Sequence, residues 1–153
     1  MPFPTPDALP WQRTNPFIWR ISCAGEHEDR LGHVNNVQYL HWLEEAGWQH
    51  ITLLGAPWES WRDAGAAMAT VRTEVDYRAA AYAGDLLYIG TWLTGGDRLR
   101  MTREFQIIRA SDSKTLLTAK LDYVCISLTT GKPVRKPPAL EQAHQQAMRD
   151  AGL

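Results

Sequence analysis

The chain has 153 residues, which suits one domain with its own core and leaves little room for a second. Hydrophobic residues make up 44% and charged residues 22%, ordinary globular usage. The formal net charge of -1 argues against a broadly electrostatic nucleic-acid binder, which carries a strong basic excess, so no nucleic-acid partner is expected.

Residues 1–16 are rich in proline and polar groups and are expected to run as an extended arm. They lack the basic stretch followed by an apolar stretch of a secretory signal. Phe17 to Ala24 reads as a strand, with Phe17, Trp19, Ile21 and Cys23 on one face and Ile18 and Arg20 on the other. Gly25 to Gly32 is charged and turn-like. From Asn36 to Leu54 the pattern is helical: Leu40, Leu43, Gly47, Ile51 and Leu54 follow 3–4 spacing, widened by Tyr39, Trp42, Ala46 and Leu53. So broad an apolar face predicts a helix largely wrapped by other structure. Asn35 or Asn36 suits the N-cap, and Gly55 with Pro57 suits the stop.

Pro57 to Gly65 reads as a loop with a short helical turn at 58–62. Val71, Thr73, Val75 and Tyr77 then alternate with charged neighbours, and Leu86 to Thr94 is a nearly continuous strand. Gly95-Gly96-Asp97 is a hairpin signal. Leu99, Met101, Phe105 and Ile107 alternate with Arg100, Thr102, Glu104 and Gln106. After the Ser111-Asp112-Ser113 turn, Thr115 to Leu128 is a long strand, ended by Thr129-Thr130-Gly131-Lys132-Pro133. Pro137 to Gly152 reads as a polar helix. The strands after the long helix have meander spacing, and residues 17–153 are expected to form a single α+β domain with one helix on one antiparallel sheet.

Cys23 and Cys125 both lie in strand-like segments without a C-x-x-C, so buried structural thiols are expected rather than a disulfide. No run of about 18 apolar residues predicts a membrane span. The cytoplasm is the default location. His27 and His33, six apart, and His41 and His50, nine apart, lack zinc-ligand spacing, so no metal is expected. No G-x-S-x-G, P-loop or G-x-G-x-x-G occurs, and no cofactor is expected.

The chemistry concentrates in Asp29-Arg30-Leu31-Gly32-His33-Val34-Asn35-Asn36-Val37-Gln38-Tyr39. One carboxylate, a glycine turn and two capping asparagines precede the long helix. A helix N-terminus offers unpaired N–H groups to an oxyanion, and a carboxylate beside it serves as nucleophile or base, which together suit acyl transfer. The stretch resembles the helix-start motif of the hotdog-fold thioesterases, in the branch that includes 4-hydroxybenzoyl-CoA thioesterase. That family's aspartate, glycine and valine fall on Asp29, Gly32 and Val34. Tyr77-Arg78-Ala79-Ala80-Ala81-Tyr82-Ala83-Gly84-Asp85 and Thr130-Gly131-Lys132-Pro133 agree with it, as does the element order over roughly residues 15–140.

The resemblance implies a hotdog fold, a curved antiparallel sheet wrapped around the long helix, assembled as a homodimer or homotetramer with sites at the dimer interface. It implies hydrolysis of an acyl-CoA or related thioester, with Asp29 as the catalytic carboxylate and the Asn36 backbone N–H polarising the carbonyl. His33 matches a histidine used by plant-type acyl-carrier thioesterases. Leu31 stands where those enzymes carry a functional asparagine, which disfavours their mechanism. Gly32 is expected to take a positive φ or to admit substrate closely. Val34, Asn35 and Tyr39 flank the motif as substrate-contact candidates. Lys132, Arg135 and Lys136 form a short basic patch suited to the phosphates of coenzyme A, and Glu44 and Glu45 are expected as a solvated or interface pair, with one of them a candidate for the water path. Among seven tryptophans, Trp42, Trp48, Trp58 and Trp61 are candidates for the pocket wall. Two alternatives remain open: an enoyl-thioester hydratase, for which the Asp29/His33 spacing is suggestive, and a non-catalytic acyl-CoA-binding protein.

Overall fold

The computed structural model describes residues 5–153; residues 1–4 of the expected arm lie outside the described residues. The elements are β1 (Phe17–Ser22), α1 (Asn36–Leu53), α2 (Trp58–Ala64), β2 (Ala66–Tyr77), β3 (Leu86–Gly96), β4 (Arg100–Arg109), β5 (Thr115–Ser127) and α3 (Pro138–Asp150). The five strands form one antiparallel sheet in the order β1-β3-β4-β5-β2, and α1 lies across it. The predicted α+β layering therefore holds.

Two expectations are corrected by the fold. The strands are not a simple meander: β2 sits outside β5 at the sheet edge, and β1 takes the place beside β3. The turns after β3 and β4 are tight and force their strands to pair. The segment from Arg78 to Asp85 has no hairpin turn and crosses the end of the sheet instead. The second correction concerns α1, which the sheet covers on one side only. Tyr39, Trp42, Leu43, Ala46, His50 and Ile51 are buried at 3–4 spacing, whereas Leu53 is 74% exposed and Leu40 38%. A single sheet reaches about half of a helix circumference.

Strand alternation sorts the core. Leu87 and Ile89 of β3, Phe105 and Ile107 of β4, and Leu117 and Ala119 of β5 pack with Tyr39, Trp42, Leu43 and Ala46 of α1. Each such large side chain contributes roughly 1.5–3 kcal/mol on burial. Trp19 and Ile21 of β1, and Cys23 just after it, join this cluster on the face predicted for them. A second cluster at the other end joins Ile51, Trp61, Leu93 and Met101 to Leu140, Ala143 and Ala147 of α3.

The opposite sheet face is covered by the N-terminal segment. It is less extended than expected, with a 3-10 turn at Pro6–Ala8. Trp11 lies over Gly90, where a Cβ would meet its ring at 2.5 Å. Arg13 pairs with Glu104 at 3.0 Å, and Trp92 Nε1 donates to the Thr14 carbonyl at 2.8 Å. Both cysteines are free and buried, as expected, and burial, with Asp85 and Glu28 nearby, pushes the Cys23 thiol up to about 11. Among the described residues, no helix is long and apolar enough to cross a membrane.

Candidate active site

The start of α1 is built by the hairpin-like loop before it. Glu28 and Val34 form a bridge, Asp29 N–H donates to the His33 carbonyl at 2.8 Å, and Gly32 N–H donates to the Asp29 carbonyl at 3.1 Å. Gly32 closes this turn at φ 75°, the left-handed conformation that glycine adopts without strain. Open space surrounds the position of its missing Cβ, so the positive φ is its requirement in the chain. Asp29 Oδ1 accepts from Leu31 N–H at 2.8 Å, which holds the carboxylate at the loop tip. Its other oxygen accepts from no donor among the described residues.

Asn35, not Asn36, is the N-cap. Its backbone is extended (φ −61°, ψ 134°) and its side-chain oxygen accepts from Val37 N–H at 3.0 Å. Gln38 N–H donates to the Asn35 carbonyl. Asn36 is therefore the first helical residue, and its N–H finds no acceptor among the described residues. That unpaired donor stands at the positive end of an 18-residue helix.

The two sequence segments that carry the resemblance meet here. Ala81 clamps the helix start: its carbonyl accepts from Val34 N–H at 2.9 Å, and its N–H donates to the Tyr39 hydroxyl at 3.0 Å. Tyr77 donates to the Asn36 carbonyl, Ala83 N–H donates to Glu28 Oε2, and the His33 ring sits edge-on to Tyr82 at 5.5 Å. Val34 and Tyr39, both 2% exposed, are framework residues rather than substrate contacts. Asn35 acts as the cap.

A cavity of about 310 Å³ runs between α1 and the sheet. Its helix wall is Leu40, Leu43, Glu44, Gly47, Trp48 and Ile51, which continues by 3–4 spacing from Asn36. It thus reaches to within one turn of the free N–H. Trp48 and Trp61 line it as expected. Trp42 does not: it is 3% exposed and packed on Tyr39 and His27. Trp58 stands outside, edge-on to Trp48. Glu44 borders the cavity, and Glu45 pairs with His41 at 3.2 Å.

The basic patch is also corrected. Lys136 is turned inward. Its Nζ donates to the Asp97 and Arg100 carbonyls and pairs with Glu141 at 3.1 Å, leaving no free ammonium for a phosphate. Lys132 and Arg135 are exposed. They follow the C-terminal end of β5, whereas the Asn36 end of the molecule meets its beginning through Tyr77 and Arg78. Along that strand Lys132, opposite Ser127, stands up to about 34 Å away and Arg135, which folds back beside Cys125, up to about 27 Å, at roughly 3.4 Å per residue.

Arg103 is the residue that sequence reasoning missed. It lines the cavity and is 3% exposed, and its Nη1 donates to His50 Nδ1 at 2.8 Å and Thr91 Oγ1 at 3.1 Å. The signal was present: Met101, Arg103, Phe105 and Ile107 share one face of β4 by the period of two. Burial, with the Arg103 charge beside it, holds the His50 imidazole down to about 3. His50 is thus neutral when folded and titrates near its ordinary 6.5 when unfolded. Between those values the unfolded chain binds the extra proton, so stability declines as pH falls from about 6.5 towards 3. Melting temperatures taken across that window should fall more gently for His50→Gln. Parallel curves for the two proteins would remove His50 as the cause.

A family model described as the thioesterase-like superfamily matches residues 24–144. Long-chain acyl-CoA thioesterase FadM of Escherichia coli is 28% identical over 131 residues, covering 85% of this chain and 98% of that protein. The solved structure of Slr0204, a 1,4-dihydroxy-2-naphthoyl-CoA thioesterase from Synechocystis, superposes with a TM-score of 0.77 at 24% identity, over 90% of this chain and 98% of that one. The protein SAV2348 from Staphylococcus aureus, solved in complex with CoA, gives a TM-score of 0.83 at 12% identity, over 92% and 88%. These neighbours share the open sheet with its long helix, so the fold is the hotdog fold. The match over 24–144 spans the Asp29 loop, the long helix and all of β2 to β5, and the chain belongs to the thioesterase-like superfamily.

Proposed function

We propose that this protein hydrolyses an acyl-CoA, or a related acyl thioester, to the free acid and thiol. The observation that carries the reading is the unpaired Asn36 N–H at a capped helix start, with the Asp29 carboxylate held in the loop immediately before it and an apolar cavity one turn beyond. The thioester carbonyl oxygen accepts from the Asn36 N–H, and the helix end stabilises the negative charge that develops there. Asp29 attacks the carbonyl carbon to form a mixed anhydride that water then opens, or it takes a proton from the attacking water; either route expels the thiolate. His33, backbone-paired to Asp29, orients that carboxylate or contacts the thioester. Gly32 supplies the tight turn at the tip of the loop that carries Asp29. The acyl chain runs along the cavity beside Leu40, Trp48 and Trp61.

The working form is a homodimer or homotetramer. Thr70 to Glu74 are exposed along β2, a 12-residue edge strand whose outer backbone groups invite pairing. Antiparallel pairing of two β2 edges brings the Lys132/Arg135 end of one protomer towards the Asn36 end of its partner. The patch then serves the neighbouring site rather than its own, from which it is separated by roughly 27–34 Å of β5. Two buried, unpaired thiols fit a reducing compartment, and the cytoplasm is the location proposed.

Free-thiol release from short, long and aromatic acyl-CoAs tests the reaction. Turnover of any of them supports it; addition of water to an enoyl-CoA without thiol release would favour the hydratase, and binding without turnover the acyl-binding role. The double variant Lys132→Ala/Arg135→Ala is expected to raise KM for CoA esters roughly tenfold, as two phosphate contacts of about 0.5–1 kcal/mol each are lost. Pantetheine thioesters, which lack the nucleotide phosphates, should be unaffected. An equal change for both substrates removes the phosphate role.

A further inference from the structure

The cavity wall holds a charged side chain with no counter-ion among the described residues. Arg103 is buried from β4, and both partners of its Nη1 are neutral, Thr91 by chemistry and His50 by burial. No carboxylate among the described residues forms an ion pair with it. A guanidinium carries five donors; beyond the two Nη1 bonds the group lies against Gly47 and the Tyr123 phenol and lines the cavity. Gly47 faces the group: a Cβ there would stand 3.5 Å from Arg103 Nε, an ordinary contact. Elsewhere the wall is apolar save for Thr70, Thr73 and Glu44. Burying a guanidinium without an anion is costly, and an anionic ligand group repays that cost.

We propose that Arg103 receives a carboxylate at the far end of the acyl chain, so that the preferred substrates are monothioesters of α,ω-dicarboxylic acids. This rests on the reading that places the thioester carbonyl at the Asn36 N–H. From Asn36 to Gly47 the helix rises about 16 Å. An extended chain advances about 1.2 Å per bond, judged from backbone dimensions. After about 3 Å for the ion-pair contact, the span accommodates roughly ten carbons. Glu44 stands one turn nearer the helix start than Gly47 and Trp48. Its charge disfavours an anion at the rim and leaves the guanidinium as the cation on the wall.

The test compares the CoA monothioester of decanedioic acid with decanoyl-CoA. Wild type should show a higher kcat/KM for the dicarboxylic ester, on the order of 10–100-fold for one charge-assisted bond. Arg103→Met should abolish that preference, read as the ratio of the two kcat/KM values, and Arg103→Lys should restore part of it, which a purely structural arginine would not do. Should Arg103→Met fail to fold, wild type decides alone: decanedioate should bind more tightly than decanoate by calorimetry. Decanoyl-CoA hydrolysed as fast as the dicarboxylic ester, or decanoate bound as tightly, overturns the assignment. Thiol release from neither ester, nor from the acyl-CoA panel, instead overturns the thioesterase reading, and the two acids then still decide what Arg103 binds.

Discussion

Asp29→Asn should leave the fold intact and lower thioester hydrolysis by roughly 10²–10⁴-fold, the range for removal of a positioned general base. Asparagine is close to isosteric, and its side-chain oxygen can still accept from Leu31 N–H, so the loop keeps its shape. What is lost is the negative oxygen, which neither attacks a carbonyl nor takes a proton from water once it becomes an amide nitrogen. Substrate affinity should change little, so the effect belongs in kcat. Initial-rate kinetics with a melting curve as control measures it. Near wild-type turnover in a folded Asp29→Asn protein would show that the carboxylate only closes the turn. Heavy oxygen from labelled water accumulating in the Asp29 carboxylate would mark the nucleophilic route.

The second large effect concerns a backbone atom. Asn36→Pro should cost roughly 10²–10³-fold in kcat, the loss found when one oxyanion donor is removed. Proline suits this site structurally because the first helical position has no intrahelical acceptor for its N–H. The residue before a proline must be extended, and Asn35 already is, at φ −61° and ψ 134°. The substitution therefore removes one donor while the helix stands. Asn36→Ala is the companion: it deletes the side chain and keeps the N–H, and should stay within a few-fold of wild type. Equal activity in the proline and alanine variants would place the oxyanion elsewhere.

Both substitutions fall on features legible in the amino-acid sequence. Asp29, Gly32 and the paired asparagines are near neighbours along the chain, so their turn and cap geometry follows from short-range rules. Which asparagine caps is decided by one side-chain bond to Val37. The period of two in β4 even carries Arg103, although a charged residue among apolar neighbours is easily passed over.

Other features have no local signature. Lys132, Arg135 and Lys136 look alike in sequence, yet only Lys136 is drawn inward by the Asp97 and Arg100 carbonyls and by Glu141. Trp42 and Trp48 sit on one helix, but Trp42 faces the core and Trp48 the cavity.

Sequence by itself determined the order of elements, the boundaries of the long helix, the capped turn at Asp29–Asn36 and the family, because caps, turns and periodicity act over a few residues. Tertiary structure alone decided that β2 leaves the meander for the sheet edge, that Ala81 clamps the helix start, that the basic patch lies far from the same chain's Asn36 end, and that Arg103 is buried with no ion-pairing carboxylate among the described residues. Those outcomes depend on pairings between residues tens of positions apart, which strand registers and burial settle together and no local pattern encodes.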